Sequence, residues 1–288
     1  MSIVVTGATG ALGRLVVEEL LTRVPADRIA AVVRDAAKAA DLAERGVELR
    51  VADYDDPASL AGAFRAGDRV LLVSGNEIGR RVAQHTAVLK AASAAGVAQL
   101  AYTGILGGPE ADFELAAEHR ATEQAILDSG IPYTFLRNGW YHENYTRDLA
   151  SQLERGALVG SAGEGRVASA ARADYAAAAA VALTGEGHLN RAYELSGDAS
   201  WSLAEYAAEL SAQAGREVAY TELTPEAHQA VLTGAGLPEG FAAVFVDVDA
   251  AIRRGRLAST GGDLTRLIGR PTTPVAGAIA DALAATRP

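Results

Sequence analysis

The sequence predicts an α/β protein: a doubly wound parallel sheet carrying a smaller α+β lobe toward its C-terminal end. Three observations carry this. Short β-branched runs alternate with helical segments from residue 3 to about residue 136, at intervals that suit right-handed βαβ crossovers. The first of these runs enters a glycine-rich turn and then an amphipathic helix. Past residue 145 the alternation loosens, leaving one more sheet strand and a group of helices.

Ile3-Val4-Val5 is a buried strand by its β-branched run, and Leu12, Leu15, Val16, Leu20 and Leu21 recur at helical spacing. Between them lies Thr6-Gly7-Ala8-Thr9-Gly10-Ala11-Leu12-Gly13, with its glycines spaced G-x-x-G-x-x-G. Such a turn aims the unpaired N–H groups of a helix start, with their partial positive charge, at a place where a phosphate can sit. Gly7 permits the tight turn, Gly10 lets the backbone approach a pyrophosphate, and Gly13 lets the helix pack close to the strand. A tight turn without a ligand is the alternative. The strand before it and the amphipathic helix after it favour a dinucleotide site.

Composition narrows the class. At 288 residues, with no linker-like stretch, the chain can bury a full core in one large domain or in a main domain with a lobe. It has no cysteine, which excludes disulfides, thiolate catalysis and cysteine-ligated zinc or iron–sulfur sites. A net charge of -10 argues against nucleic acid as a partner, because phosphates require a basic face. No apolar run reaches membrane-span length and no basic signal segment precedes the first strand, so a soluble, cytoplasmic chain without membrane insertion is expected. Alanine is read as helix-forming filler. Among 26 basic residues only Lys38 and Lys90 are lysines.

Ile29-Ala30-Ala31-Val32-Val33 forms a second strand that ends at Arg34-Asp35. In a site for NAD, an acidic residue about 20 residues past the glycine turn takes the ribose 2′-hydroxyl. Arg34 stands there instead, and with Lys38 one helical turn on it suits a 2′-phosphate, which favours NADPH. Asp35 would repel that phosphate unless it points away; two basic residues at an ordinary helix start are the plainer alternative. Residues 47–51 form a third strand and 70–73 a fourth. Asp53 follows the third strand, either to accept from an adenine amino group or to cap the next turn. Ser74, Gly75 and Asn76 follow the fourth as a small-residue loop that lets the chain pass close to the middle of a cofactor, or as a plain loop.

A helix over 82–95 leads to a strand over 99–103, whose Tyr102 and Thr103 hydroxyls arrive at the crevice edge. On the next helix, over 113–129, short-chain dehydrogenases usually place a Tyr-x-x-x-Lys pair that relays a proton to a substrate carbonyl. Neither lysine lies four residues after a tyrosine, so this chain has no such pair. His119 and Glu123, four apart on one face, are an acid–base pair, metal ligands or a structural hydrogen bond; with no second ligand pair in the sequence, no metal site is expected. A sixth strand over 131–136 runs into Arg137-Asn138-Gly139-Trp140-Tyr141-His142-Glu143-Asn144-Tyr145. Flat aromatic faces there suit a planar ring, and Asn138 and Asn144 offer donors to a carboxamide or carbonyl oxygen. A helix start with core aromatics is the alternative.

In the second half, 168–170 is read as a strand returning toward the site, 174–183 as a helix and 192–195 as the last strand of the sheet. A helix over 203–214, a short strand over 218–220, a helix started by Pro225 and a glycine-rich loop over 255–262 build the lobe, where substrate shape is set. The division expected is a Rossmann-like dinucleotide-binding domain over 1–137, completed by the strand near 192–196, and a smaller substrate lobe formed mainly by 138–288.

Four segments resemble the NmrA-like atypical short-chain dehydrogenases: Thr-Gly-Ala-Thr-Gly-Ala-Leu-Gly (6–13), Leu-Arg-Asn-Gly-Trp-Tyr-x-Glu-Asn-Tyr (136–145), Ala-Ser-Ala-x-Arg-Ala-Asp-Tyr (168–175) and Tyr-Glu-Leu-Ser-Gly-Asp (193–198). The likeness extends over nearly the whole chain, and within the family it is to the bacterial NADPH-dependent quinone oxidoreductases of the second type. It implies an NADPH site made by Gly7, Ala8, Thr9, Gly10, Ala11, Leu12, Arg34, Ser74, Gly75, Asn76, Asn138, Gly139, Trp140, Tyr141, His142 and Glu143. It places a quinone above the nicotinamide near Tyr141 and Asn144, with Ser169 and Arg172 near the crevice. Asp35, where relatives tend to have asparagine, and Gly75-Asn76, where they tend to have serines, depart from the pattern. No catalytic residue is assigned. The expected reaction is direct hydride transfer from NADPH to a quinone without a Tyr-Lys relay, since a quinone is a strong hydride acceptor whose reduced oxygens take protons from water. A non-catalytic NADP-binding redox sensor of the same family would also lack the pair and is the alternative.

Overall fold

The computed structural model describes residues 1–286. Through the first half run β1 (Ile3–Thr6), α1 (Ala11–Leu21), β2 (Ile29–Val33), α2 (Ala40–Glu44), β3 (Glu48–Val51), α3 (Pro57–Leu60), β4 (Arg69–Leu72) and α4 (Arg81–Ala95). β5 (Gln99–Ile105), α5 (Glu114–Ser129), β6 (Tyr133–Asn138), α6 (Glu143–Thr146), α7 (Leu149–Arg155), β7 (Ala157–Gly160) and β8 (Arg166–Val167) follow. Next come α8 (Arg172–Thr184), β9 (Arg191–Leu195), β10 (Trp201–Ser202), α9 (Leu203–Ala214) and β11 (Ala219–Glu222). The last helices are α10 (Pro225–Gly234), α11 (Glu239–Arg253), α12 (Asp263–Ile268) and α13 (Val275–Ala285).

Seven strands form one parallel sheet in the order β3-β2-β1-β4-β5-β6-β9. Its inner strands are buried on both faces, and the period of two divides their side chains between two cores. Ile3, Val5, Ala31 and Leu71 meet Val16, Val17 and Leu20 of α1 and Tyr175, Ala176 and Ala179 of α8. Val4, Val70, Leu72, Leu100 and Tyr102 meet Leu60 of α3, Val88, Leu89 and Ala92 of α4 and Ile126 of α5. The alanines of α8 are therefore packed core, where composition alone suggested filler. Strand order reverses between β2-β1 and β1-β4, which opens a crevice at the carboxyl ends of the strands.

The lobe has its own core, with Trp201, Leu203, Tyr206 and Leu210 packed against Val244, Val248 and Ile252 of α11. β7 pairs with β11 in parallel and β8 with β10 antiparallel. Three elements from the second half nevertheless belong to the sheet's layers: β9 completes the sheet, α8 packs on α1, and α12 packs on α8 and β9.

Several boundaries differ from the sequence reading. β5 and β6 pair as far as Ile105 and Asn138, so the sheet reaches further toward the crevice. Ile131 and Pro132 precede β6, as proline has no N–H to give a ladder. Residues 168–170 are no strand: β8 stops at Val167, and Ala170 makes a single bridge to Tyr141. β7 was not foreseen, because its ladder depends on β11, some sixty residues later in the chain.

Beneath the β3 edge, Arg50 and Asp68 are buried together. Arg50 Nη1 donates to Asp68 Oδ2 at 2.8 Å and to the Ala63 carbonyl at 2.9 Å, while Nη2 reaches Glu48 at 3.0 Å. Asp68 also accepts the N–H groups of Ser2 and Arg65, both at 3.0 Å. Asp68→Ala would remove the buried one of the two carboxylates on Arg50 and leave only the half-buried Glu48, and breaking such a buried pair costs about 3–5 kcal/mol. Urea unfolding should show a loss of that order at unchanged m-value; a loss below about 1 kcal/mol would mean that the pair is solvated like a surface one.

Candidate functional site

The carboxyl ends of β1, β2, β4, β5 and β6 open into one cleft of about 770 Å³. Its floor is the turn from β1 to α1. Gly7 sits at φ +60, in the left-handed region, and its carbonyl accepts the Gly10 N–H at 2.9 Å. A Cβ on Gly10 would meet only the Gly7 carbonyl oxygen, at 3.2 Å, whereas one on Gly13 would stand 2.3 Å from that oxygen. Gly13 thus sets the helix against the turn, and Gly10 leaves a cradle over it. No side chain caps α1 and no acid lies in its first turn, so its N-terminal N–H groups face the cleft uncovered. Gly7, Thr9, Gly10, Ala11 and Leu12 line the cleft. Ala8 does not: it is fully buried, with its N–H directed at the Val32 carbonyl.

At the β2 end, Arg34 and Lys38 are exposed cleft-lining residues whose side chains have no ion-pair or hydrogen-bond partner among the described residues. Asp35 is turned away from them, its carboxylate capping the next short turn by accepting the Ala37 N–H at 2.9 Å. Asp53 lines the cleft and caps the next turn by accepting the Asp55 N–H at 3.1 Å. Tyr54, unmarked in the sequence reading, brings beside Gly7 a buried hydroxyl without a hydrogen-bond partner among the described residues.

In the middle, Ser74, Gly75 and Asn76 line the cleft on a loop anchored from below. Ser74 N–H donates to Thr103 Oγ1 at 2.8 Å and Gly75 N–H to His85 Nε2 at 3.0 Å, while Arg81 Nε donates to the Gly75 carbonyl at 2.7 Å. Arg81 is itself held by Glu118 at 2.7 Å. The His85 tautomer follows from its partners: Nε2 accepts, and Nδ1–H donates to Thr122 Oγ1 at 3.0 Å, whose own hydrogen goes to the Glu118 carbonyl at 2.9 Å.

Beyond β5 and β6, Asn138, Gly139, Trp140 and Tyr141 form the far wall. Asn138 Nδ2 donates to the Tyr141 hydroxyl at 3.3 Å, and its Oδ1 is buried with no partner among the described residues. A buried amide oxygen left open calls for an external N–H donor. Gly139 is needed where it stands, since a Cβ would come within 3.0 Å of the Leu195 carbonyl oxygen.

Other expected residues support the wall from behind. His142 is buried away from the cleft: Nε2–H donates to the Thr273 carbonyl at 2.9 Å and Nδ1 accepts from Ser169 Oγ at 2.8 Å, so neither nitrogen is free. Ser169 is thereby placed behind the cleft as well. Glu143 accepts the Arg172 N–H at 2.9 Å, and Asn144 Oδ1 accepts from Arg172 Nη2 at 3.3 Å; Arg172 itself lines the cleft. His119 and Glu123 do not pair. His119 lines the cleft with its Nδ1 at 2.7 Å from the Tyr102 hydroxyl, whereas Glu123 takes Nε and Nη2 of Arg137 at 2.9 and 2.7 Å. Among the described residues no group of three or more acidic or histidine side chains could hold a metal. Arg81, Gln84, Leu115 and Arg147 also line the cleft, unforeseen because folding alone brings α4, α5 and α6 to it.

Burial and the Arg81 charge hold His85 and His119 neutral, each pushed down to about 3. For His85, neutral when folded and ordinary at 6.5 when unfolded, the stability it contributes is complete above pH 6.5 and is lost as pH falls toward about 3. Between pH 7 and pH 5 the loss is about 2 kcal/mol. His85→Gln should flatten the fall in urea-unfolding stability over that interval by a similar amount, and equal slopes for the two proteins would show the folded ring already charged.

Comparison with known proteins gives concordant results. The chain is 46% identical to quinone oxidoreductase 2 of Escherichia coli over 277 residues, 96% of this chain and 97% of that protein. The crystal structure of that NADPH-dependent enzyme complexed with NADPH superposes with a TM-score of 0.95, covering 98% of this chain and 99% of the other. Citrobacter sp. triphenylmethane reductase complexed with NADP(H) is 42% identical, with a TM-score of 0.94 over 98% of this chain and 100% of that one. An NAD(P)H azoreductase of Xenophilus azovorans is 34% identical over 93% of each chain. The sequence matches the NmrA-like family over residues 1–251, which takes in the whole sheet and most of the lobe, and the chain belongs to that family.

Proposed function

We propose that this chain is an oxidoreductase that reduces quinones with NADPH by direct hydride transfer. The observation that carries the reading is the Asn138 amide: a buried, unpartnered oxygen at the far end of a cleft whose other end presents a bare helix terminus and two unpaired cations. These features fit NADPH part by part. The N–H groups of α1 and the Gly10 cradle suit the pyrophosphate, and Arg34 with Lys38 suits the 2′-phosphate. Asn138 Oδ1 suits the nicotinamide carboxamide N–H. The E. coli and Citrobacter relatives, both solved with this cofactor, support the same reading.

The chemistry that bound NADPH supplies is one hydride, two electrons with a proton, which together with one further proton from water turns a quinone into a hydroquinone and leaves NADP⁺. The chain's own work is placement. Asn138 and the loop pinned by His85 and Arg81 fix where the nicotinamide lies, and Trp140 and Tyr141 offer aromatic surface to the acceptor ring. No residue at that end supplies an acid. His119 is neutral and tied to Tyr102, burial pushes the Tyr102 and Tyr141 hydroxyls up, Lys38 lies at the β2 end and Lys90 lies on the outer face of α4. A quinone tolerates this, whereas an unactivated ketone would not. We assign the reaction to the cytoplasm, on a chain without cysteine that draws on NADPH and in which no described helix is long and apolar enough to cross a membrane.

Purified protein with NADPH and a panel of quinones, followed by NADPH absorbance, tests the reading. At saturating NADPH, kcat should be flat between pH 6.5 and 8.5, because burial moves the cleft histidines below that range and the buried tyrosines above it. A controlling ionisation inside the range would restore a protein acid; tight NADPH binding with no quinone reduced would make the chain a sensor. Arg34→Ala should remove most of the preference for NADPH over NADH, about 1.5–3 kcal/mol of charge-assisted hydrogen bonding. Equal dissociation constants for the two cofactors in the parent protein would overturn the assignment of Arg34.

A further inference from the structure

We propose that the acceptor end of the cleft selects planar acceptors bearing an anionic substituent, a sulfonate, carboxylate or phosphate ester, held by Arg147 and Arg172. The proposal rests on the reading of this cleft as the site of acceptor reduction and names the class of acceptor.

Both arginines line the cleft, and neither guanidinium has a carboxylate within ion-pair distance among the described residues. Arg81 and Arg137, near the same wall, are instead paired with Glu118 and with Glu123 and Glu194. The nearest acids are engaged elsewhere. Asp148, beside Arg147, is paired with Arg155 at 3.0 Å. The Glu143 carboxylate takes the backbone N–H of Arg172 at 2.9 and 3.2 Å. The acids lining the cleft are Asp53, bonded to the Asp55 N–H at the adenosine end, and Glu77, paired with Arg80 at 3.0 Å.

Both guanidinium groups are braced rather than loose. That of Arg172 lies 4.9 Å from the ring centre of Tyr141 and donates to Asn144 Oδ1 at 3.3 Å; that of Arg147 lies 5.5 Å from the ring centre of Phe245. A guanidinium over an aromatic face keeps its in-plane N–H groups for a ligand, and that fork matches the oxygens of a planar or tetrahedral anion. The cofactor's own phosphates are provided for by α1, Arg34 and Lys38, nearer the β1 and β2 side of the crevice. The two cations beyond β6, Arg172 over Tyr141 and Arg147 over Phe245, therefore face the second substrate. Aromatic walls take its ring and the arginines take its charge.

The test compares 1,4-naphthoquinone with its 2-sulfonate under NADPH in the parent, Arg147→Gln and Arg172→Gln, and adds a binding arm independent of turnover. The sulfonate-to-neutral ratio of kcat/KM should fall about tenfold in each variant, chiefly through KM, and should shrink in the parent at high ionic strength. Naphthalene-2-sulfonate, which accepts no hydride, should bind NADPH-loaded parent more tightly than naphthalene-2-carboxamide and lose that advantage in both variants. Failure to reduce any quinone would refute the proposed reaction, while the binding arm would still decide this proposal. Ratios unchanged within about twofold, or equal affinity of the parent for the sulfonate and the amide, would overturn it. A variant that weakens NADPH itself and leaves the sulfonate preference intact would assign that arginine to the cofactor and overturn it too.

Discussion

How closely α1 approaches the turn that precedes it governs the rest of the architecture. A methyl group at Gly13 would stand 2.3 Å from the Gly7 carbonyl oxygen, so any side chain there would lift the helix from β1 and swing its N–H groups off the crevice. α8 lies along α1 through Ala176 and Ala179, and its first residue, Arg172, reaches the same rim. Asp174, in the first turn of α8, then ties down the C-terminal segment by accepting the Thr273 N–H at 2.8 Å and pairing with Arg270 at 2.7 Å. His142 meets the same segment through the Thr273 carbonyl. One close approach between backbone atoms is thereby transmitted to the lobe.

The parts of the site that were legible in the sequence are those whose cause is local. Gly7 to Gly13 declare a turn because backbone conformation and close approach depend on the residue itself, and Arg34 is marked by its position at a strand end. What escaped depends on pairings across the fold. His85 and Arg81 support the loop at Gly75 from α4, one element after it, and nothing in their own neighbourhood distinguishes them from surface or core polar residues. In the segment after β6, Tyr141 and His142 are adjacent but point to opposite sides, one to the cleft and one to the lobe. A run of promising side chains could not be divided into wall and support until the backbone direction was known. β7 and Arg147 belong with these, since each takes its place from elements far along the chain.

Charge and neutrality are distributed along the cleft in a definite order. Unpaired cations stand at the two ends, Arg34 and Lys38 near β2 and Arg147 and Arg172 beyond β6. Between them the polar groups are neutral or internally paired: His85, His119, Thr103, Asn138 and the Arg81–Glu118 pair. A hydride moves as a unit with its electron pair, and a centre without a titrating group keeps that transfer free of competing protonation at neutral pH.

Asp35 gives this arrangement an unexpected rigidity toward redesign. Its carboxylate is a structural cap, bonded to the Ala37 N–H at 2.9 Å, on the short turn that carries Lys38. An acid at the end of β2 is the usual handle for a ribose diol, so this chain already contains the carboxylate that a protein engineer would introduce to reverse cofactor choice. Deleting Arg34 would not put it to use, because rotating it toward the ribose would uncap the turn. A cofactor swap here is a problem of loop grafting, to be solved by rebuilding 34–39 as one piece.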